Sequence, residues 1–435
     1  MKKKNKHNKF WMKLDTSAQI YPAIESAENT NIYRIWTQLK EEIDVELLKE
    51  ALDIIKPRFP YFNVHLRSGL FWHYLEENDN PSKIWPDSPS PCERLYPIYN
   101  NGYLYLVRVY KKKLSVEFFH VLTDGAGAME FLKTLISHYF ILKGTLKEEP
   151  KGIMKISEKP DLEEYEDAFP KILEIDKDKL DKGPRQRSLF NTDGVFKQQD
   201  KYLPLGRYKV IIGTVPLADL KKISKKFECT ITELLASLYV EALIMIQHEQ
   251  VKNKKKHKNI GLEIPVNMRF LYPIRSMRNF SLFVVPRFNP KELDKFEDII
   301  AFLKPYMKEH VTKEYLLTMA EDNYNISQNP FIKYVPIFLK DFIIRFLSHT
   351  QGHAQFSGTI SNLGAIKLPN ELLEHIEDMG VLLGPSYHSL TGCGVVGFKD
   401  HIHINFGRIN KDPKVERHVF RRLVELGAQV KLKSN

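Results

Sequence analysis

The chain has 435 residues, 43% of them hydrophobic and 27% charged. That is enough apolar content for a large core, and the length suggests two or three domains; general disorder is excluded. The net charge of +11 favours an anionic partner, whether a polyphosphate ligand, an acidic membrane face or nucleic acid. Three widely spaced cysteines (Cys92, Cys229 and Cys393) exclude a disulfide framework and a structural zinc site, and fit a reducing, cytoplasmic compartment.

Much of the positive excess sits in two lysine runs, Lys2–Lys9 and Lys252–Lys258, which read as mobile, solvated segments because like charges repel. The basic start lacks the apolar run of a signal peptide. Glu42–Ile55 is predicted as a helix, with an apolar stripe through Ile43, Leu47, Leu48, Ala51, Leu52 and Ile55 and Pro57 as its stop. Phe62–Leu66 and Leu70–Leu75 are expected as short strands about the turn Ser68-Gly69. Tyr103–Tyr110 and Leu114–His120 form a predicted hairpin with a lysine tip. By strand parity His120 shares a face with Leu114, Val116 and Phe118, and Phe119 points the other way. A helix follows, striped by Phe131, Leu132, Leu135, Ile136, Tyr139 and Phe140 and ended by Gly144.

Lys147–Asp200 is charged, Pro- and Gly-dotted and short of apolar periodicity, so it reads as an interdomain linker with some helix inside it. The second half resumes with a strand at Arg207–Val215 and a helix from Pro216. A stronger helix opens with Thr230 and Glu233 at capping-box spacing. Strands are predicted at Asn259–Val266, Ser281–Phe288, Ala354–Ile360, Ser386–Val396 and His401–Phe406, before a closing helix at Val419–Leu426 that stops at Gly427. No uninterrupted apolar stretch is read as membrane-spanning. The nearest, Phe331–Leu347, is broken by Lys333, Lys340, Asp341 and Arg345 and is read as a core-facing helix, with a helix lying on a membrane surface as the alternative. Mixed strands and helices in both halves predict an α/β (α+β) protein of two domains, residues 1–185 and 200–435.

The chemistry concentrates at His120-Val-Leu-Thr-Asp124-Gly125, where a histidine ends a strand directly before a sharp turn and a helix. A histidine titrates near neutral pH and suits a general base. On the local pattern alone three other readings stay open. Asp124 caps the following helix in an ordinary turn, His120 is a core residue, or His120 and Asp124 form a metal pair, which needs a helix where this stretch reads as strand and turn. His401 and His403 share a strand face but lack a third ligand, so an exposed sheet face is expected and no metal site. The lysine runs carry no aromatic interleaving, so nucleic-acid binding is not expected.

Phe-Phe-His120-Val-Leu-Thr-Asp124-Gly125 resembles the HHxxxDG signature of the CoA-dependent acyltransferase superfamily, which includes chloramphenicol acetyltransferase, alcohol acetyltransferases and peptide-synthetase condensation domains. Further segments resemble bacterial alcohol acetyltransferase-like proteins, in the same order along the chain. They are Trp11–Asp15 with Tyr21-Pro22, Arg58-Phe59-Pro60, Gly69–Trp72, Pro265–Arg269 with Arg278-Asn279-Phe280, and Ser357–Gly364. Phe119 stands where the signature has its first histidine; the second, here His120, is the catalytic one in the superfamily.

The resemblance implies two chloramphenicol-acetyltransferase-like domains, each a mixed sheet with helices, around a central tunnel. His120 is the general base in the middle of that tunnel. It implies a structural Asp124 facing an arginine, for which Arg269 is the candidate, and a Gly125 that gives the turn room. Ser357, Ser361 and Asn362 are candidates to line the tunnel and stabilise the oxyanion, although Ser-Asn-Leu-Gly also reads as a turn. No bound cofactor is implied. The co-substrate is acyl-CoA, with acetyl favoured, and the acceptor a small alcohol or amine. A carrier-protein thioester is the alternative donor, and a non-catalytic binding protein retaining the fold is a third reading. A monomer is expected.

Overall fold

The computed structural model describes residues 9–182, 194–348, 350 and 355–435. The lysine run before Lys9 lies outside the described residues.

Three sheets organise the described residues. The first lobe is a five-stranded sheet in the order Ile376–Leu382, Ile32–Leu39, Lys113–Phe119, Tyr105–Tyr110 and Ile84–Pro86. Its hairpin between Tyr110 and Lys113 turns at Lys111, which takes a left-handed φ of 51°. The helices Val45–Ile55, capped by Asp44, and Gly125–Leu142, capped by Asp124, bury their apolar stripes against each other and this sheet. The second lobe is an eight-stranded mixed sheet. There Gly358–Ala365 runs parallel to both Ile260–Asn267 and Thr391–Phe398. Thr230 and Glu233 form the expected capping box on Ile231–Gln250. That helix is long and apolar enough to cross a membrane, but it serves as the second lobe's core helix, with Leu234, Leu238, Leu243 and Ile246 buried. A third, small sheet joins Trp11–Lys13, His73–Glu77 and Val64–Ser68.

The halves interlock. Ile376–Leu382, from late in the chain, pairs antiparallel with Ile32–Leu39 in the first lobe's sheet. In the other direction Ala168, Phe169, Ile172 and Leu173 pack into the second lobe's core. Lys147–Asp200 is therefore more than a linker. Within it, Glu164 accepts both Arg58 guanidinium nitrogens at 2.6 and 2.7 Å and the Tyr61 hydroxyl at 2.8 Å, all buried. Its backbone carbonyl accepts the Met277 amide at 2.7 Å, so this segment braces a loop of the second half.

Four expectations are corrected. Phe331–Leu347 does not face the core: it forms two helices, Pro330–Lys333 and Ile337–Leu347, without a single buried residue. Ser281–Phe288 is broken into Ser281–Val284 and Arg287–Phe288, both pairing with Ile260–Asn267. The face bearing His403 is not exposed, because His403 is buried between Thr214 and Asp378, whose carboxylate lies 2.6 Å away on the intruding strand. Lys254–Lys256 forms an ordered turn capped by Asn253, solvated but not shapeless.

Candidate active site

His120 follows directly on the strand Lys113–Phe119, and its amide donates to the carbonyl of Asn31 at 2.9 Å. Its half-buried ring stacks on Tyr21 at 4.8 Å and lies 4.9 Å from Tyr33. The Tyr33 hydroxyl donates to the Thr123 carbonyl at 3.0 Å, which ties the aromatic wall to the turn. Phe119, on the opposite face, is a buried packing residue.

The ring's tautomer follows from its neighbours. Nδ1 lies 2.9 Å from Oδ1 of Asn279. The Asn279 amide nitrogen donates to the His120 carbonyl at 2.8 Å and to Asp15 at 3.1 Å, so the amide is oriented with its oxygen toward the ring. A carbonyl oxygen can only accept, so Nδ1 carries the proton and Nε2 keeps its lone pair. Asp15 is itself held by the Ala18 amide at 2.8 Å and by Arg278, 3.2 Å away and buried. Burial pushes the Asp15 carboxyl up to about 6 against the pull of Arg278. Burial is also the largest influence on His120. It lowers the imidazole's pKa, and the Asn279 bond and the Asp124 charge oppose it. The imidazole is thereby neutral at neutral pH.

Asp124 is not available for proton transfer. One carboxylate oxygen accepts the amides of Ala126 and Gly127 at 3.1 and 3.2 Å, capping the helix; the other accepts Arg269 at 2.7 Å and the Phe280 amide at 2.9 Å. Burial disfavours the charge, but Arg269 and the backbone donors hold the carboxyl below its usual range. Arg269 also donates to the carbonyls of Ser276 and Arg278, gathering the loop that carries Asn279. The pair thus locks the turn of the first half to the loop of the second.

The glycines of this turn differ in what crowds them. A Cβ on Gly125 would meet the Leu363 side chain at 2.7 Å, which a rotamer change relieves. A Cβ on Gly127 would collide with the Thr123 hydroxyl and with the backbone carbonyl of Met277, which cannot move independently. Gly127→Ala is expected to destabilise the protein by roughly 1–3 kcal/mol or more, and Gly125→Ala by less, as read from urea unfolding midpoints.

The oxyanion candidates separate. Ser357 is buried; its hydroxyl donates to the Phe196 carbonyl at 2.7 Å and accepts the Gly261 amide at 3.1 Å, so its one donor is taken and the role assigned to it from sequence is corrected. Asn362 accepts the Gly364 amide at 2.8 Å and donates to Thr232 at 2.9 Å, pinning an irregularity of the strand where its register shifts and Gly364 takes a φ of 75°. Ser361 is half-buried, its side chain makes no hydrogen bond among the described residues, and it lies two residues before Leu363, the residue that reaches Gly125.

Sequence reasoning assigned no role to Asn279, Asp15, Tyr21, Tyr33 or Gly127. All but Tyr33 and Gly127 lie in segments that carried the resemblance, which was the available signal. A cavity of about 180 Å³, lined by Arg34, Trp36, Lys113, Val210, Ile212 and Lys433, is a separate feature. Arg34 and Trp36 alternate with Tyr33 along their strand, so it opens on the face turned away from His120.

No family model and no curated protein matches the sequence. Solved structures do match in fold. Trichothecene 15-O-acetyltransferase from Fusarium sporotrichioides superposes with a TM-score of 0.59 at 12% identity, over 96% of this chain and 94% of that one. A starter condensation domain of rhizomide synthetase in complex with C8-CoA and Leu-SNAC gives 0.59 at 10% identity, over 96% and 93%. The wax ester synthase/diacylglycerol acyltransferase from Marinobacter aquaeolei VT8 gives 0.51 at 12% identity, over 95% and 98%. With two interlocked lobes meeting at the His120 turn, this chain has the two-lobed fold of the CoA-dependent acyltransferases and condensation domains.

Proposed function

We propose that this protein is an acyltransferase that moves an acyl group from acyl-CoA, with acetyl-CoA the favoured donor, to an alcohol. The observation that carries the reading is the fixed tautomer of His120. Asn279 holds Nδ1–H, and Nε2 has no hydrogen-bond partner among the described residues. Nε2 takes the acceptor's hydroxyl proton as the oxygen attacks the thioester carbonyl, and the tetrahedral intermediate collapses with loss of CoA thiolate. Asn279 orients the ring and partly offsets the lowering by burial; the desolvated imidazole stays a mild base. Ser361 is the hydroxyl we assign to the developing oxyanion. Arg269 and Asp124 act by holding the two halves in register. No bound cofactor enters this scheme.

The test is thiol release with a panel of acyl-CoAs, against alcohols and amines. Turnover with acyl-CoA alone as donor supports the reading. Turnover that requires a phosphopantetheinyl carrier protein, or prefers amines, shifts it to a condensation-like enzyme, in keeping with the likeness to a condensation domain that binds Leu-SNAC. Because burial lowers the pKa of His120, kcat/KM should rise with pH through an inflection below the ordinary histidine value of about 6.5 and be flat by neutrality. An inflection at or above that value contradicts the buried, neutral base.

A further inference from the structure

The helix Ile337–Leu347 is attached to the body by its polar groups and turns its apolar face outward. Asp341 bonds His73 at 3.0 Å, Lys340 donates to the Phe71 carbonyl at 2.7 Å, and Arg345 donates to the Ala23 carbonyl at 2.9 Å. On the other side Phe338, Phe342 and Phe346 are 74, 67 and 60% exposed, with Leu339 and Ile343 between them, a continuous stripe at helical spacing. The stripe continues onto neighbouring segments. Phe331 is 90% exposed, and Leu70, whose carbonyl accepts the Ile337 amide, is 68% exposed beside Trp72. A helix built this way does not stabilise the fold through its apolar residues; it gains from them only when something else covers the face.

We propose that this face docks on an anionic lipid surface. The exposed side of the helix is that of an interfacial one, rich in phenylalanine, with the exposed Trp72 on a neighbouring segment and Lys333 just before the helix starts. From Phe331 to Leu347 three basic residues stand against one acidic; Lys340, Arg345 and Asp341 are all engaged by the body, which leaves Lys333 as the basic side chain without a hydrogen bond or ion pair among the described residues. The whole chain carries +11, so a negative surface attracts it, whereas a second copy meets like charge. The opposite, attached side of the helix adjoins the candidate active site. Arg345 holds the helix Tyr21–Ile24, and Tyr21 stacks on His120. The inference does not depend on acyl transfer; if both hold, an apolar substrate arrives from the membrane side.

The experiment is co-sedimentation of the full chain with vesicles of phosphatidylcholine, with and without phosphatidylglycerol. The comparison is Phe338→Ser/Phe342→Ser/Phe346→Ser, positions whose exposure spares the fold, as an unchanged thermal melt would verify. The expected result is partitioning onto the anionic vesicles that falls about tenfold or more in the triple variant. Lys333→Glu should weaken binding to the anionic vesicles alone. The proposal is overturned if the wild type stays in the supernatant with both lipids or if the triple variant binds equally. Concentration-dependent self-association abolished by the triple variant, in place of lipid binding, also overturns it.

Discussion

Replacing His120 with alanine is expected to lower thiol release about 10²–10⁴-fold while the unfolding midpoint barely moves. The ring makes one side-chain hydrogen bond, to Asn279, and keeps part of its surface open, so its removal costs on the order of 1 kcal/mol in lost bonding. The loss should appear in kcat more than in KM, because the proton moves only in the transition state. Asn279→Ala should give a smaller loss, since the ring survives but is free to turn its protonated nitrogen toward the acceptor. Turnover by the His120→Ala protein within a factor of two of wild type would remove the imidazole from the chemistry and leave the binding-protein reading standing.

Asp124→Ala and Arg269→Ala are each expected to destabilise the folded protein by about 3–5 kcal/mol, far more than His120→Ala. The side chains are 7 and 16% exposed and 2.7 Å apart, so removing either strands a buried charge. Asp124→Ala also removes the cap of Gly125–Leu142, a further cost of about 1 kcal/mol. The double variant should lose less than the sum of the singles, since neither charge is then left alone. The pH dependence has a definite direction. The carboxyl of Asp124 is held below its unfolded value of about 3.9, so its contribution is fully present above that value and is lost as the pH falls through the lower folded value. Urea unfolding at pH 7 and again in acid should show the gap between wild type and Asp124→Ala closing only in acid. A gap already absent at pH 7 would mean that the pair contributes little to stability.

Elements whose patterns satisfy one rule were legible. Val45–Ile55 has a stripe and an aspartate cap, Ile231–Gln250 a capping box, and the hairpin Tyr105–Phe119 an alternation about a lysine tip. Three strands of the first sheet were missed, the three-residue Ile84–Pro86 among them. Ile32–Leu39 is buried on both faces, with Arg34 and Thr37 among its apolar residues, so it shows no alternation. Ile376–Leu382 carries Glu377 and Asp378, and its place is set by Ile32–Leu39, some 340 residues earlier in sequence. Phe331–Leu347 misled for a different reason. Helical periodicity places apolar residues on one face but does not say whether that face turns inward.

At the candidate site the sequence alone determined the groups that act through local geometry. A histidine at a strand end, an aspartate at a helix start and glycines in the turn between are legible because the constraint spans a few residues. Tertiary structure decided everything that depends on which donor meets which acceptor. Asn279 and Asp15 fix the proton on the ring, Ser357 is consumed in holding strands together, and Arg269 reaches Asp124 across 145 residues. Hydrogen bonds and charges act over a few ångströms of space, and only the folded lobes bring residues so distant in the chain within that range.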